Sequence, residues 1–299
     1  MNSESPTKFI PGNIPITIVM ISLNEAHQLE EVVKNVSNWA QEIYLVDSYS
    51  KDATIDIALE LGIKVVQKKF EGFGEQWNFA IDNLPIDTSW TMKLDPDERL
   101  SDELKLSIAS NIFKNEDRVD GLIVRRKLWF MGKPIPVTQD LLRVWRTGQG
   151  SFTDVKVNEH VVLSGTSKLV SGQLMHLDSP DLEHWLDKQN NYSTSEAEII
   201  FEEKPLADKA LIFGTNFQRR MWLKKNFNNI PFRYFFFFLY NFIILQSFRA
   251  GRVGFIWAWS RVLVMKLGQY KAYEMKLLNK KYSKFLKGSS KPDPRVQQF

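Results

Sequence analysis

Two carboxylates, Asp95 and Asp97, stand one residue apart directly after an apolar run, in the string TMKLDPDER at residues 91–99. In an extended backbone the side chains of residues i and i+2 point the same way, so both carboxylates can face one ligand. Carboxylate oxygens are the ligands that Mg²⁺ and Mn²⁺ prefer, and a cation held in this way often neutralises a diphosphate. The pattern predicts a divalent-cation site. The alternative is a solvated turn that leads into a helix capped by Ser101.

Strands and helices alternate on both sides of this motif. The predicted strands are apolar and rich in β-branched residues, and the predicted helices carry apolar residues at 3.6-residue spacing. In chain order, the predictions are a strand at 16–22, a helix at 23–36 capped by Asn24, a strand at 42–47, a helix at 53–62, a strand at 64–67, a helix at 73–84, a strand at 89–95, a helix at 101–114, a strand at 120–130, short strands at 141–146 and 157–163, and a helix at 183–203. This order predicts an α/β fold with a mostly parallel sheet and flanking helices.

In sheets of this kind, ligands bind beyond the carboxyl ends of the strands. The polar side chains predicted at those ends are Asn24, Glu25, Asp47, Asp95 and Asp97. Their shared position favours a binding site over a chance pair of carboxylates.

The composition is typical of a folded globular protein, since the 299 residues are 43% hydrophobic and 25% charged. The sequence contains no cysteine, which excludes disulfides and thiolate chemistry. It opens without a charged-then-apolar leader pattern, so the cytoplasm is the expected compartment.

The net charge of +4 is unevenly distributed. Residues 215–299 hold 17 basic and 2 acidic residues, whereas residues 1–214 hold 22 basic and 33 acidic residues.

The basic region also contains long apolar runs. Fifteen uncharged residues at 234–248 precede a second apolar run that includes Trp257, Trp259 and Arg261. A membrane-spanning helix needs about 20 apolar residues, whereas aromatic residues beside basic ones suit a helix in the lipid headgroup region. We therefore predict that residues 215–285 associate with an anionic membrane surface. The alternatives are a helical hairpin packed on the body of the protein and a homo-oligomer interface. The many Phe and Leu residues argue against nucleic acid.

Four motifs, in this order and at compatible spacings, resemble the family 2 glycosyltransferases of the GT-A fold over roughly residues 14–200. They are IVMISLNEA (18–26), IYLVDSYSKDAT (43–54), GFGEQWNFA (72–80) and MKLDPDER (92–99). The chain is most similar to the bacterial subgroup that builds lipopolysaccharide core and related surface glycans. Three later segments carry that likeness: VNEH (157–160), MHLDSPDLEHWLDKQNNYS (175–193) and SFRAGRVGF (247–255).

The resemblance implies a Rossmann-like GT-A catalytic domain with a C-terminal helical appendage that associates with membranes. The implied boundaries are a disordered or loosely attached N-terminus at 1–13, the catalytic domain at 14–204, the basic helical region at 205–285 and a flexible tail at 286–299.

The resemblance also implies site roles. The nucleotide-sugar-binding residues would be Asn24, Glu25, Asp47, Asn78, Asp95 and Lys188, and the ligands of Mg²⁺ or Mn²⁺ would be Asp97, Asp95 and His176. Two positions depart from the family pattern, because Pro96 replaces the commoner Ala and Trp77 stands where Arg is frequent. Structural alternatives stay open for several of these residues. They are helix capping for Asn24 and Glu25, an Asx-turn for Asp47 and a structural hydrogen bond for His176.

Inverting sugar transfer needs a carboxylate that takes the proton of the acceptor hydroxyl. Glu159 stands in VNEH, which resembles the subgroup's His-Glu pattern with Asn158 in place of His. Asp140 matches a recurring acidic position and ranks second. The alternative for both carboxylates is a surface salt bridge to Arg143 or Arg146.

Together these inferences predict an inverting, metal-dependent transfer of a hexose from a nucleotide sugar. The resemblance points to glucose, to a UDP-linked donor and to a lipid-linked glycan acceptor at the cytoplasmic face of the inner (plasma) membrane. A first rival keeps the fold but uses a polyprenyl phosphate as acceptor, which needs no general base. A second rival is a non-catalytic, membrane-associated scaffold that binds nucleotide.

Overall fold

The chain is described by a computed structural model over residues 8–114, 119–153, 160–177, 181–202, 211–213, 218–219, 221–222, 226–282 and 292–298. The helices and strands in these ranges are β1 (Ile14–Ser22), α1 (Ala26–Val36), β2 (Ala40–Asp47), α2 (Thr54–Leu61), β3 (Lys64–Gln67), α3 (Phe73–Asn83), β4 (Trp90–Lys93), β5 (Glu98–Leu100), α4 (Asp102–Lys114), β6 (Gly121–Phe130), β7 (Lys133–Arg146), β8 (Gly150–Phe152), β9 (Val161–Leu163), β10 (Ser167–Leu169), β11 (Leu174–His176), α5 (Leu182–Phe201), α6 (Arg233–Leu239), α7 (Gly251–Leu278) and β12 (Gln297–Gln298).

A ten-stranded sheet has the order β12-β3-β2-β1-β4-β7-β6-β11-β5, with β10 paired to β6. The strands β3, β2, β1 and β4 run parallel, so their carboxyl ends meet at one edge. Pairing is antiparallel between β4 and β7 and between β11 and β5. The expected α/β fold with a mostly parallel sheet is therefore confirmed.

Side chains of the central strands alternate between two apolar cores. On β1, Ile16 and Ile18 enter one core, whereas Val19 enters the other. Helices α1, α2 and α4 pack into the first core, and α3 contributes the fully buried Trp77 to the second. The central strands are covered on both faces, which is why their sequences are nearly continuous apolar runs.

The contacts divide the chain into two compact units. The first unit comprises the described residues of 1–128, 138–178 and 285–299, and it contains the parallel strands. The second unit comprises those of 129–137 and 179–284, and it contains α5, α6 and α7. The helix α5, which the sequence assigned to the catalytic domain, thus groups with the basic helices.

Within the second unit, α7 packs along α5. Ala272 and Met275 of α7 form a small core with Ala197 of α5. Beside that core, the ammonium group of Lys271 donates hydrogen bonds to the Asn190 carbonyl oxygen at 2.7 Å and the Ser193 hydroxyl at 2.9 Å. Searched for membrane spans, the described ranges contain no helix with both the length and the apolarity to cross a bilayer.

Candidate active site

Asp47, the last residue of β2, is the centre of a buried hydrogen-bond network at the carboxyl edge of the sheet. Its Oδ1 accepts from the Ser22 hydroxyl at 3.0 Å and from the Ser50 hydroxyl, while its Oδ2 accepts from the Ser50 backbone N–H at 2.9 Å and from Nε2 of Gln67 at 2.7 Å. Ser22 and Gln67 end the neighbouring strands β1 and β3. The parallel register therefore gathers residues from three strand ends around one carboxylate.

The turn after β1 joins this network through its backbone. Asn24 has a φ of +59°, in the left-handed region that Asn tolerates better than most residues, and its N–H donates to the Ser50 hydroxyl at 2.8 Å. The Asn24 side-chain oxygen accepts from the Lys51 N–H at 2.8 Å. Glu25 occupies the N-cap position of α1, and its own side chain makes no capping hydrogen bond there. The prediction that Asn24 caps this helix is therefore wrong, because the amide is used to join two loops.

The carboxylate of Asp52 fixes the starts of two helices. Its Oδ1 accepts from the Thr54 N–H at 3.0 Å at the start of α2, and its Oδ2 accepts from the Ala26 N–H at 3.1 Å at the start of α1. The Thr54 hydroxyl accepts in turn from the Glu25 N–H at 2.9 Å. The loops that carry Asn24, Glu25 and Asp47 are therefore held rigidly at the sheet edge.

The Asp95–Glu98 turn is closed around a buried carboxylate. Glu98, the first residue of β5, is fully buried, and its Oε2 accepts from the Asp95 N–H at 3.1 Å. Its Oε1 lies 2.6 Å from Nη2 of Arg143, which also lies 2.9 Å from Oδ2 of Asp95. Arg126 contributes a third, longer contact to Glu98 at 3.4 Å. One arginine from β7 thus holds both Glu98 and the half-buried Asp95.

These charges set the protonation of the two carboxyl groups. Burial raises the pKa of Glu98 above its ordinary value, and Arg143 only partly offsets this effect. Burial also acts to raise the pKa of Asp95, but the positive charges of Arg143 and Lys93 outweigh it and hold that pKa below the ordinary value. Asp95 is therefore ionised at neutral pH and suited to accept hydrogen bonds.

Asp97 lies beside His176. Oδ2 of Asp97 is 3.3 Å from Nε2 of His176, and both side chains are mostly buried. The pairing of β11 with β5 produces this contact, because it sets His176 opposite Glu98 in the antiparallel register. The backbone is tied as well, since the Leu177 N–H donates to the Asp97 carbonyl oxygen at 2.8 Å. Two of the predicted metal ligands are thus brought together.

Asp97 and His176 supply only part of the ligands that a metal ion needs. Among the residues that the structure describes, no three His, Cys, Asp or Glu side chains form a group that could hold a metal ion. A carboxylate oxygen beside an imidazole nitrogen fits a divalent cation whose other ligands come from a diphosphate and water. Asp95, the third predicted ligand, has one of its oxygens engaged by Arg143.

Asn78 makes two hydrogen bonds to the backbone of a single residue of β8. Its Nδ2 donates to the Phe152 carbonyl oxygen at 2.9 Å, and its Oδ1 accepts from the Phe152 N–H at 2.8 Å. The adjacent Trp77 stacks on the Phe152 ring with centroids 5.5 Å apart, and the ammonium group of Lys93 lies 4.4 Å from the Trp77 centroid. These contacts give Asn78 a structural role, and its predicted contact with the donor stays a prediction.

Asp140 is paired with Arg125, not with Arg143 or Arg146 as the salt-bridge alternative predicted. The pair is bidentate, at 2.8 and 3.0 Å, and about half exposed. The hydrogen bonds from Arg125 lower the pKa of Asp140.

Glu159, the first candidate base, lies outside the described residues. Lys188 is a half-buried residue of α5 in the second unit.

Three residues of this site escaped the sequence prediction, namely Gln67, Glu98 as a buried anchor, and Arg143. Gln67 carried a usable signal, because it ends a predicted strand beside the strand that ends in Asp47. Arg143 carried another, because an arginine within the apolar run LLRVW needs a buried partner.

Comparison with known proteins supports the predicted class of enzyme. Residues 17–156 match the family model described as glycosyl transferase family 2. The predicted resemblance to that family is confirmed over this segment, and the match supports the prediction of a glycosyltransferase. An uncharacterised glycosyltransferase of Rickettsia felis is 28% identical over 253 residues, which are 79% of this chain and 86% of the relative. One from Rickettsia prowazekii is 27% identical over 203 residues, or 63% of this chain and 68% of the relative.

Solved structures give more distant matches. Residues 1–349 of S. aureus TarS in complex with UDP match with a TM-score of 0.41 and 15% identity, covering 92% of this chain and 95% of that one. A longer TarS chain, of which this chain covers 55%, gives a TM-score of 0.40. Glucosyl-3-phosphoglycerate synthase of Mycobacterium tuberculosis, in complex with Mn²⁺, UDP and glucosyl-3-phosphoglycerate, gives 0.29 at 20% identity, covering 39% of this chain and 44% of that one. These scores are too low to transfer a ligand or a substrate.

Proposed function

We propose that this glycosyltransferase is an inverting, divalent-metal-dependent enzyme that moves a hexose from a UDP sugar to a lipid-linked glycan. Glucose is the first candidate for the sugar, and lipopolysaccharide core or a related surface glycan is the first candidate for the acceptor. The observation that carries the proposal is the convergence, at one carboxyl edge, of the Asp47 network and the Asp95–Glu98 turn.

Each part of that edge suits one part of a nucleotide sugar. The rigid turn at Asn24 and Glu25 presents polar groups to the nucleoside, and the buried Asp47 carboxylate holds that turn through Ser50. Asp95, ionised and oriented by Arg143, accepts hydrogen bonds from sugar or ribose hydroxyls. Asp97 and His176 would hold the cation. When bound, such a cation supplies positive charge that stabilises the diphosphate leaving group.

The proton of the acceptor hydroxyl needs a base whose pKa is near the working pH. Asp140 is poorly suited, because Arg125 occupies both of its oxygens and lowers its pKa. We therefore keep Glu159 as the first candidate. Glu159→Gln should lower transfer by about 10² to 10⁴-fold and leave UDP binding unchanged, while Asp140→Asn should have a much smaller effect. Full activity in both variants would favour a polyprenyl phosphate acceptor, which is already an anion.

A lipid-linked acceptor requires access to a membrane, and the second unit has a surface suited to one. Along α7, large apolar side chains at three- and four-residue spacing are exposed, on the side opposite the buried Trp257 and Met275. They are Phe255, Trp259, Leu263, Leu267, Tyr270, Tyr273 and Leu277. Around α6 and the following π-helical turn, the exposed residues are Phe235, Phe236, Tyr240, Ile243 and Ile244. We call these two sets the α6–α7 apolar surface. Exposed apolar area on this scale marks an interaction site.

The positive charge around the α6–α7 apolar surface favours an anionic membrane as its partner. Residues 232–282 contain nine basic residues and one acidic residue, Glu274. Arg249 and Arg252 are exposed at the start of α7, and Lys276 and Lys280 are exposed near its end. A second copy of the chain would bring an equally basic surface into contact and be repelled, whereas an anionic bilayer attracts it. We therefore propose that this surface binds the cytoplasmic face of the inner membrane.

A screen of nucleotide sugars for hydrolysis, with Mg²⁺ or Mn²⁺, tests the enzymatic proposal. UDP sugars should be hydrolysed in the presence of metal, and chelation by EDTA should abolish the reaction. Binding of UDP without hydrolysis of any donor, even with membrane extract as acceptor source, would instead support a nucleotide-binding scaffold. Preference for another nucleotide would overturn the choice of UDP alone.

A further inference from the structure

The last described residues of the chain, 292–298, return to the first unit and extend its sheet. Strand β12 pairs in parallel with β3, with Gln297 beside Val66 and Gln298 beside Gln67. Val296 is buried at 6% exposure, whereas Gln297 is exposed. The end of the chain thus covers the edge of the sheet next to the Asp47 network.

One side chain joins this segment to the network. Gln67 is almost fully buried, and its Oε1 accepts from the Asp293 backbone N–H at 2.6 Å. Its Nε2 donates to Oδ2 of Asp47 at 2.7 Å. A glutamine amide has one acceptor end and one donor end, so the Asp293 N–H and the Asp47 carboxylate select the same orientation of the amide. Loss of the Asp293 contact would leave Oε1 unsatisfied, and the Asp47 contact alone would then hold the amide.

Ion pairs hold the segment in place. Nη2 of Arg295 lies 2.7 Å from Oδ1 of Asp56 on α2 and 2.6 Å from Oδ2 of Asp293. The hydrogen bonds from Arg295 lower the pKa of Asp293 to about 2, so the pair stays charged throughout the neutral range. The segment is therefore anchored at two points that follow the Gln67 contact, namely Arg295 and the β12 ladder.

We propose that residues 292–298 are a positioning segment for the nucleotide site, acting through Gln67 on the carboxylate of Asp47. This inference rests on the proposed function, because it takes the strand ends that Asp47 holds together to be the nucleoside site. Gln67 and Asp293 orient the ligand-binding group and do not contact the reacting atoms. Their effect should appear as binding energy shared by the ground state and the transition state, and therefore in KM more than in kcat.

A matched pair of full-length variants tests the proposal. Val296→Asp places a charge in a buried position and should displace the segment, whereas Gln297→Asp introduces the same charge on the solvent side. We expect Val296→Asp to raise the Kd for UDP, and the KM for the donor, by about tenfold, as loss of a satisfied buried hydrogen bond predicts. The value of kcat should change little. Gln297→Asp should match the wild type.

A chain that ends at residue 291 provides a second route if Val296→Asp does not fold. Adding the eight-residue peptide PDPRVQQF should then restore UDP affinity, by adding a strand to the free edge of β3. Wild-type UDP affinity in folded Val296→Asp, or in the shortened chain, would overturn the role of the segment. A lowered kcat with unchanged Kd would overturn it as well. If the wild type binds neither UDP nor any other nucleoside diphosphate, the proposed function itself is overturned, and with it the role assigned to Asp47.

Discussion

Arg143 and Glu98 form a buried ion pair, with Nη2 of the arginine 2.6 Å from Oε1 of the carboxylate. Both side chains are almost completely excluded from solvent. The same arginine nitrogen reaches Asp95, so the pair fixes the turn that carries the Asp-Pro-Asp motif. The sequence predicted that Asp95 and Asp97 both bind one metal ion. In the structure their surroundings differ, because Asp95 is oriented by an arginine and Asp97 lies against a histidine.

Replacing Arg143 should destabilise the fold as well as the site. Arg143→Met leaves Glu98 buried without its main partner, and breaking a buried pair from one side costs about 3 to 5 kcal/mol. Urea unfolding followed by circular dichroism measures this loss. The matched control is Arg125→Met, which breaks the half-exposed pair with Asp140 and should cost much less, because solvent screens that pair. Equal losses in the two variants would mean that the Glu98–Arg143 pair is no more important than a surface pair.

Asp97 should carry the metal dependence of nucleotide binding. Calorimetry with UDP, with and without Mn²⁺, should show that metal strengthens binding to the wild type. In Asp97→Asn the strengthening should disappear, while the metal-free affinity stays the same, because the charge that attracts the cation is lost. Asp102→Asn is the control, since this carboxylate is 98% exposed on α4. An unchanged Mn²⁺ effect in Asp97→Asn would place the cation elsewhere.

Replacing Asn78 distinguishes a structural role of this residue from a contact with the sugar donor. Asn78→Ala leaves the Phe152 N–H and carbonyl oxygen without their partner, so the free energy of unfolding should fall by about 1 to 3 kcal/mol. The KM for the donor should not change. Asn83→Ala, on the exposed side of the same helix, should leave both quantities close to wild type. A raised KM with unchanged stability would assign Asn78 to the donor site.

Local sequence predicted the parts of the fold and site that depend on local chemistry. The strand-end position of Asp47 and the left-handed Gly62 after α2 follow from residue type and spacing. The alternation of apolar strands with amphipathic helices likewise fixed the central sheet. These features need only neighbouring residues, so they can be inferred before any tertiary contact is known.

The hydrogen-bond partners of the site residues could not be predicted, because they lie far away in the chain. Asn78 meets Phe152 and Gln67 meets Asp293 only after the sheet has formed, across 74 and 226 residues. The same limitation explains why the predicted helix cap at Asn24 is wrong. Its side chain is of a type that caps helices, but the tertiary structure brings the Lys51 N–H to it instead.

The α6–α7 apolar surface should be required for binding to anionic vesicles. Leu263 is 53% exposed on this surface, and inserting the exposed part of its side chain into a bilayer contributes about 1 kcal/mol. Leu263→Glu should therefore weaken partition onto phosphatidylglycerol vesicles by about tenfold or more, measured by co-sedimentation. Leu106→Glu, at a residue 72% exposed on α4, introduces the same charge outside the surface and should bind as the wild type does. Neutral vesicles, or high salt, should reduce binding of all three proteins, because the basic residues would lose their attraction. If the wild type does not bind vesicles but forms a dimer, and Leu263→Glu dissociates that dimer, the surface is an interface between copies of the chain.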